Sequence, residues 1–472
     1  MIRTRFAPSP TGYMHVGGVR TALFAWLVAQ KTNGQFLLRL EDTDKVREVA
    51  GSGDHIMESL RWLGITWTEG PDIGGPHGPY LQSERLAIYK EWAQKLVDSG
   101  RAYADPYTTE ELQAFRDQAK AAKRPFLFRN HRPENPPAWN GTQPLRFKSA
   151  PQAYHWHDEV MGDLSAGEEA VDDFIIMKSD GYPTYNFAHI VDDALMQITH
   201  VIRSQEFIAS VPKFLNLYDA LELDRPLLAT VPFVMGPDGK KKLSKRDGAK
   251  DILDYAREGY LPEALVNFMA TLGWNDGTEQ EVFSVQEIID KFSLSRVQKS
   301  GAKFDEQRLL WMNGAHIRAL DLDDLCAKVA TFWPAEASDR DDAYKKSVLA
   351  LVQERLKFFA ELPSLTTFFF TDLPLNPELI STHKQLKKLE QSEVKSLLKQ
   401  GRATLATSDF SLEDLNAKLN QLLEATGQKP AVLFSLIRIA TTQAPASPGL
   451  ADTLAVLGKE TALRRMDAML AS

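Results

Sequence analysis

Two rhythms of apolar residues alternate along the first hundred positions. "IRTRF" reads as a short strand, and Val19 to Lys31 carries apolar residues at helical spacing. "QFLLRLEDTD" reads as a second strand, almost continuously apolar until it ends in carboxylates, and a helix around His55 to Leu63 follows. Buried strands alternating with helices predict an α/β fold built on a doubly wound parallel sheet, with ligands at the carboxyl ends of its strands. His15-Val-Gly-Gly18 and Glu41-Asp-Thr-Asp44 both fall at such ends.

The texture then changes. From about Tyr107 the chain is rich in Pro and Arg ("RPFLFRNHRPENPPAWNGTQPLRF") and predicts an inserted module with β elements over residues 107–185. The α/β pattern resumes in "ITHVIRSQEFIAS" and "PLLATVPFVM", so the sheet is expected in two halves, residues 1–106 and 186–236. Residues 237–320 open on a basic loop and continue mostly as helices, and residues 321–472 predict only helices. "SVLALVQERLKFFAEL" places Val348, Val352, Leu356 and Phe359 on one stripe before Pro363. In "SLEDLNAKLNQLLEATG", Ser411 is the expected cap and Gly427 the stop, with Leu412, Leu415, Leu419 and Leu422 facing inward. These stripes are core and carry no chemistry.

A chain of 472 residues exceeds one typical core, so two to four domains are expected. The apolar share of 43% is ordinary, and no apolar run reaches membrane-spanning length. "MIRTRFAPSPTG" lacks the apolar segment of a secretion signal. The single cysteine, Cys326, excludes an intramolecular disulfide and any multi-cysteine metal site. A cytoplasmic protein with no membrane partner is expected. The net charge of -8 opposes nucleic-acid binding by the whole surface but permits a local basic groove. Gly239 to Lys250 is the densest basic run, and a solvated loop is its plainest reading.

Neither a Walker A pattern nor a GxGxxG fingerprint is present. The start of a helix still offers N–H groups and a positive dipole end to phosphates, and glycines in "HVGGVR" would let a nucleobase or phosphate approach the backbone. His15 is then placed to donate to a phosphate oxygen, although a turn histidine has a purely structural reading too. In "KKKLSKRDG", Lys242 and Lys245 flank Ser244 with Gly236, Gly239 and Gly248 around them. Two ammonium groups there suit charge developing on a departing pyrophosphate.

Together these residues carry a resemblance. "APSPTGYMHVGG" resembles the HIGH signature of class I aminoacyl-tRNA synthetases, in the form typical of bacterial-type glutamyl-tRNA synthetases, and "KLSKR" resembles their KMSKS loop. "RLEDTD", "SDGYPTYNFAHIVDD", "THVIRSQEF", "EGYLPEALVNFMATLGW" and "FDEQRLLWMNG" follow in the family's order, so the match is strong over about Met1 to Gly314. The resemblance implies a Rossmann-like catalytic domain, an acceptor-binding module at 107–185, a stem-contact domain at 237–320 and an all-α anticodon-binding region at 321–472. It implies glutamate activation with ATP and Mg2+, then transfer to tRNA-Glu by a monomer, with activation waiting for tRNA. His15, Lys242 and Lys245 would be catalytic, and Gly17, Gly18 and Ser244 would complete the ATP site. Gly18 stands where the general signature has a second histidine. The amino acid would lie against Arg5, Ala7, Ser9, Glu41, Tyr185, His189 and Arg203.

Within that set, Arg5 and Arg203 would take the γ-carboxylate with help from the Tyr185 hydroxyl, and Glu41 the α-ammonium with Ser9 nearby. Arginine forks suit planar carboxylates, and glutamine would leave part of the fork unpaired at about 2–5 kcal/mol. Without the surrounding motifs, Arg5 and Arg203 read equally as surface charges at strand ends. His189 stands where some relatives have asparagine near the α-carboxylate, as a protonated or donor group. Asp192 and Asp193 read as helix-end or network carboxylates. Some relatives hold zinc with cysteines, which this chain lacks, and His155 and His157 lie on one face of a possible strand with no cysteine nearby, so no metal is expected.

Three rivals share parts of this pattern: a glutaminyl-tRNA synthetase, a shorter relative that glutamylates a base of tRNA-Asp, and a catalytically silent tRNA-binding paralogue. The paired arginines, the roughly 150 helical residues after Asp321 and the intact His15, Glu41, Arg203 and Lys245 weigh against each in turn. Arg355 is placed where the family refuses the tRNA-Gln anticodon. A discriminating enzyme is the expectation, with charging of tRNA-Gln as the alternative.

Overall fold

The computed structural model describes residues 1–243, 250–444 and 446–471. They form two compact units: residues 1–256 with 262–306, and residues 257–261 with 307–471. No helix among the described residues is long and apolar enough to cross a membrane.

The first unit begins with β1 (Arg3–Phe6), α1 (Val16–Lys31) and β2 (Gln35–Leu38), with β1 and β2 parallel and in register from Arg3↔Gln35 to Phe6↔Leu38. α1 starts three residues before the expected Val19, because the His15 imidazole accepts a hydrogen bond from Gly17 N and caps it there. The helix is buried nearly all round, from Val16 to Ala29 apart from its glycines and Thr21, as befits a helix covered on more than one side. β2 is shorter than its apolar run, since Leu40 bridges to Leu81 and the following carboxylates leave the ladder. α2 (Ser52–Trp62) and α3 (Leu86–Asp98) follow.

The inserted module contributes β3 (Ala102–Ala104), α4 (Thr109–Ala121), β4 (Leu145–Phe147), the hairpin β5 (Tyr154–Asp158) and β6 (Gly162–Ala166), and β7 (Phe174–Met177). β3, β4 and β7 make an antiparallel sheet in that order. The hairpin does not stay within the module. Through Asp158↔Leu228, β5 pairs in parallel with a strand of the returning α/β half. Asp158, almost fully buried, explains the attachment: its carboxylate accepts from Thr230 N at 3.0 Å and Thr230 Oγ1 at 2.6 Å, and from Val160 N and Met161 N in its own turn.

That returning half is α5 (Tyr185–Leu195), β8 (His200–Ser204), α6 (Val211–Ala220) and β9 (Leu227–Val231), with β8 and β9 parallel. β1 packs beside β8, joined at its start where Arg3 N donates to Thr199 Oγ1 at 2.9 Å and Thr199 N to Arg3 O at 3.0 Å. The sheet is therefore parallel at its centre and mixed at the hairpin edge. The chain leaves β1 toward β2 on one side and returns through β8 on the other, so a crevice opens at the carboxyl end of β1.

In the second unit, every regular element among the described residues is helical beyond Asp321. The unit begins at Gln307, before the expected boundary at residue 321. Asn313 explains this: its Oδ1 accepts from Leu261 N at 2.9 Å and its Nδ2 donates to Lys357 O, tying the helix Glu306–Ala319 into this core. The stripe from Val348 to Phe359 does not form one helix. The helix Asp342–Val352 ends where Gln353 Nε2 donates to Ile317 O and Leu320 O, although Val348, Val352, Leu356 and Phe359 are all buried. Ser411 and Gly427 cap the helix Leu412–Thr426 as expected, and Leu415, Leu419 and Leu422 are buried. Leu412, in the first turn, is 47% exposed and does not face inward.

Candidate active site

The crevice is a cavity of about 550 Å³ in the first unit. Its floor is the end of β1 and the segment after it, including Arg5, Ala7 and Ser9. One wall is the start of α1, with His15, Gly17, Gly18 and Arg20. The others come from Glu41, Tyr185, Arg203, Glu206, Phe207, Phe233 and Lys242. Most of the residues singled out from sequence therefore meet in one place. His189 is the exception discussed below, while Ser244 and Lys245 lie outside the described residues.

His15 Nδ1 accepts from Gly17 N at 3.2 Å, which leaves the proton of the neutral ring on Nε2. Gly17 permits this fold-back, because a Cβ there would stand 3.3 Å from His15 Cε1. Gly18 has more room, its nearest neighbour being Met14 Cε at 3.6 Å. Arg20 was not expected from sequence. It is buried, donates from Nη1 to Leu272 O at 2.8 Å and from Nη2 to Pro232 O, and burial pulls its pKa down to about 10. It fixes the α1 wall and leaves a positive charge behind it.

Across the cavity Lys242 Nζ pairs with Glu206 Oε2 at 2.9 Å and lies 4.6 Å from the Phe233 ring centroid. Its backbone is anchored: Lys242 itself bridges to Met235, Gly236 N donates to Lys241 O on one side of it, and Leu243 N donates to Val234 O on the other.

The two arginines expected for a γ-carboxylate differ in state. Arg5 is engaged: Nε and Nη2 donate to both oxygens of Asp193 at 3.1 and 3.0 Å, and Nη1 reaches Ile202 O at 3.4 Å. Arg203 is not. Its guanidinium carbon lies 5.3 Å from the Phe207 ring centroid and 5.2 Å from that of Phe214, and its buried Nε has no hydrogen-bond partner among the described residues. A guanidinium held between two rings, largely dehydrated and without an acceptor, is a site for an anion.

Behind the cavity runs a buried charged network. Arg39, in the apolar "LLRLED", pairs with Glu41 at 3.1 Å and with Asp193 at 2.9 Å. Asp192 accepts from Arg85 Nε at 2.7 Å, Tyr89 OH at 2.8 Å and Gln82 Nε2 at 2.8 Å. Burial opposes ionisation of Asp193, but Arg5 and Arg39 outweigh it and hold the carboxyl well below the usual range. Glu41 goes the other way: burial pushes it up to about 7, against the pull of Arg39 and Arg5.

His189 does not line the main cavity. It is buried behind it, its ring centroid 4.8 Å from that of Tyr185 and 4.5 Å from that of Phe214, with Asp193 Oδ2 3.8 Å from Nδ1, too far for a hydrogen bond. Burial, with the Arg203 and Arg5 charges added, pushes it down to about 3. It is a neutral ring packed against Tyr185, where a protonated or donor group near the α-carboxylate was expected.

Among the described residues no group of three or more His, Cys, Asp or Glu is placed to hold a metal ion. His155 and His157 do share the exposed face of β5, and His157 pairs with Asp163 at 2.7 Å. Arg355 is exposed in the turn after Val352 in the second unit, where its charge helps pull the pKa of Arg438 down, after burial.

Comparison with known proteins agrees with this geometry. Residues 1–311 match the family described as "tRNA synthetases class I (E and Q), catalytic domain", and residues 324–470 match "Anticodon binding domain". The chain is 39% identical to the glutamate–tRNA ligase of Moorella thermoacetica, covering 99% of this chain and 97% of the relative. It is 41% identical to that of Clostridium botulinum, covering 98% and 97%. A crystal structure of a glutamate tRNA ligase from Elizabethkingia meningosepticum, in complex with its amino acid, superposes with a TM-score of 0.89 at 32% identity, covering 100% of this chain and 99% of that one. The chain belongs to the class I tRNA synthetases (E and Q), with the anticodon-binding domain that follows the catalytic one.

Proposed function

We propose that this protein activates L-glutamate with ATP and transfers it to the 3' end of tRNA-Glu. The observation that carries the reading is Arg203, which lines the cavity with a buried Nε that has no acceptor among the described residues, in a cavity also lined by a helix start and a lysine. Its natural partner is a second carboxylate on the amino acid. The α-carboxylate of glutamate attacks the α-phosphate of ATP in line, the bond to the β-phosphate breaks, and pyrophosphate leaves with its magnesium. No protein base is needed, because a carboxylate is already a nucleophile at neutral pH. The chain supplies position and charge: His15 Nε2 and Lys242 are on the side taken by the phosphates, the role of Lys245 there being carried by the sequence resemblance alone, and Arg203 with Tyr185 holds the far end of the substrate. A terminal ribose hydroxyl of tRNA then attacks the mixed anhydride and AMP departs. Magnesium belongs to the nucleotide in this reading.

Pyrophosphate exchange into ATP, run with glutamate and with or without tRNA, tests the reading. Exchange that depends on glutamate and ignores glutamine supports it, and exchange with neither amino acid sinks it. Charging total tRNA and sequencing the acylated species distinguishes tRNA-Glu alone from tRNA-Glu with tRNA-Gln.

Glu41 makes the amino-acid step pH-dependent. The α-ammonium group needs the carboxylate form, and the free carboxyl titrates near 7. Binding lowers that pKa, so affinity is full above 7 and lost as the pH falls through it. KM for glutamate is expected to rise by about tenfold per pH unit between 7 and 5.5. In Glu41→Gln the slope disappears and KM stays high throughout. A flat wild-type profile would show that Glu41 does not hold the ammonium.

A further inference from the structure

The His15 turn and the basic loop must act together on one nucleotide, yet they are more than two hundred residues apart in the chain. The loop's upstream end is fixed at Leu243, whose N–H donates to Val234 O. Its downstream end returns at Asp251, whose backbone pairs with His15 in an antiparallel bridge, while Ile252 N donates to Met14 O at 3.2 Å. The Asp251 carboxylate does two things. It accepts from Leu253 N at 2.8 Å, capping the short helix that starts at Ile252. It also takes the imidazole of His55, whose Nε2 lies 2.9 Å from Oδ1 and 2.8 Å from Oδ2.

A cap alone requires only a serine or an asparagine. The hydrogen bond to His55 adds a third element, α2, to a junction of two catalytic segments. His55 is fixed in turn: Nδ1 lies 3.5 Å from Ser59 Oγ, and the Tyr13 ring stacks on the imidazole at 4.5 Å with an interplanar angle of 29°. Tyr13 lines the cavity. The start of α2 is itself tied to the same floor, because Ser52 Oγ donates to Gly12 O at 2.7 Å. One histidine thus touches the cavity wall through Tyr13 and the exit of the loop through Asp251. Side-chain exposures of 14% for His55 and 17% for Asp251 make the pair stronger than a surface one.

We propose that the His55–Asp251 pair is a positioning clasp that sets the downstream end of the basic loop against the His15 turn for adenylate formation. The inference rests on the site being the adenylate-forming one. Neither residue touches the reacting atoms, so the clasp acts on the rate of the chemical step and not on glutamate capture.

The test is pyrophosphate exchange and single-turnover aminoacylation by the full chain with tRNA present. His55→Ala is expected to lower the rate by about 10- to 100-fold, with KM for glutamate and for ATP changed by less than about threefold. His55→Gln, which keeps a donor at the Nε2 position, recovers most of the rate. Asp251→Ser keeps the helix cap, loses the carboxylate, and falls as far as His55→Ala. The double variant is no slower than either single one. Wild-type rates in His55→Ala, equal loss in His55→Gln, or losses that multiply in the double variant would each overturn the clasp. If His55→Ala does not fold, Asp251→Ser alone decides, a wild-type rate counting against. A wild-type chain without exchange activity would overturn the proposed function, whereas an active wild type indifferent to these substitutions overturns only the clasp.

Discussion

Replacing Arg203 by alanine is expected to lower kcat/KM for glutamate by about 10²- to 10³-fold while KM for ATP moves by less than about twofold. The size of the effect follows from burial. Arg203 is 8% exposed, its Nε has no acceptor, and Phe207 and Phe214 hold its plane. A γ-carboxylate would meet a group already dehydrated and already oriented, so little of the interaction is spent on ordering it. Arg203→Lys should recover only a small part, since an ammonium point charge offers neither the fork nor the flat face that the two rings clamp. Initial rates with each substrate varied in turn decide the matter. A parallel rise in both KM values would remove Arg203 from the amino-acid pocket.

His15→Asn is expected to slow adenylate formation by about 10²- to 10³-fold with the thermal midpoint unchanged. The substitution separates the helix cap that the ring provides from the phosphate contact proposed for it. An asparagine oxygen can accept from Gly17 N as Nδ1 does, so the helix keeps its cap. It cannot extend a donor to where Nε2 points. His15→Ala should lose the same rate and, in addition, about 1 kcal/mol of stability. Pyrophosphate exchange with a thermal melt on each variant separates the outcomes. A fast His15→Asn would mean that the ring serves α1 and not the phosphates.

Much of the α/β frame was legible because it depends on local pattern. The apolar runs ending in polar residues at Phe6 and Leu38, and the Ser411 and Gly427 caps, are each decided within a few positions. What sequence did not show is set by distant partners. The Val348–Phe359 stripe keeps helical spacing, yet the backbone turns at Gln353 because carbonyls of Ile317 and Leu320 are waiting for its amide. The β5–β6 hairpin reads as part of the insertion, and Asp158 moves it to β9 through Thr230, 72 residues away. Leu412 matches its stripe by spacing but falls in the first turn, where one side of the helix is open to solvent.

The candidate site divides in the same way. His15, Glu41, Tyr185 and Arg203 were legible as chemistry at strand and helix ends, and they line one cavity. Their states were not legible. Nothing local says that Asp193 occupies Arg5 and leaves Arg203 without a partner, or that His189 stands neutral behind Tyr185. Arg39 did leave a signal: an arginine inside an otherwise apolar strand must find buried carboxylates, and it does. Arg20 left none, because a single arginine on a helix is ordinary.

The buried network has one more consequence, seen by counting valences. Among the described residues Arg5, Arg39 and Arg85 pair with Glu41, Asp192 and Asp193, three cations against three anions, and Arg203 beside them is in no ion pair, so with every group ionised the cluster is one anion short of electroneutrality. In the proposed reading glutamate, with two carboxylates and one ammonium, would arrive as that missing counter-ion, whereas glutamine, a neutral zwitterion, would leave the imbalance in place. The choice of amino acid would then be written into the summed charge of the interior as well as into the shape of the pocket.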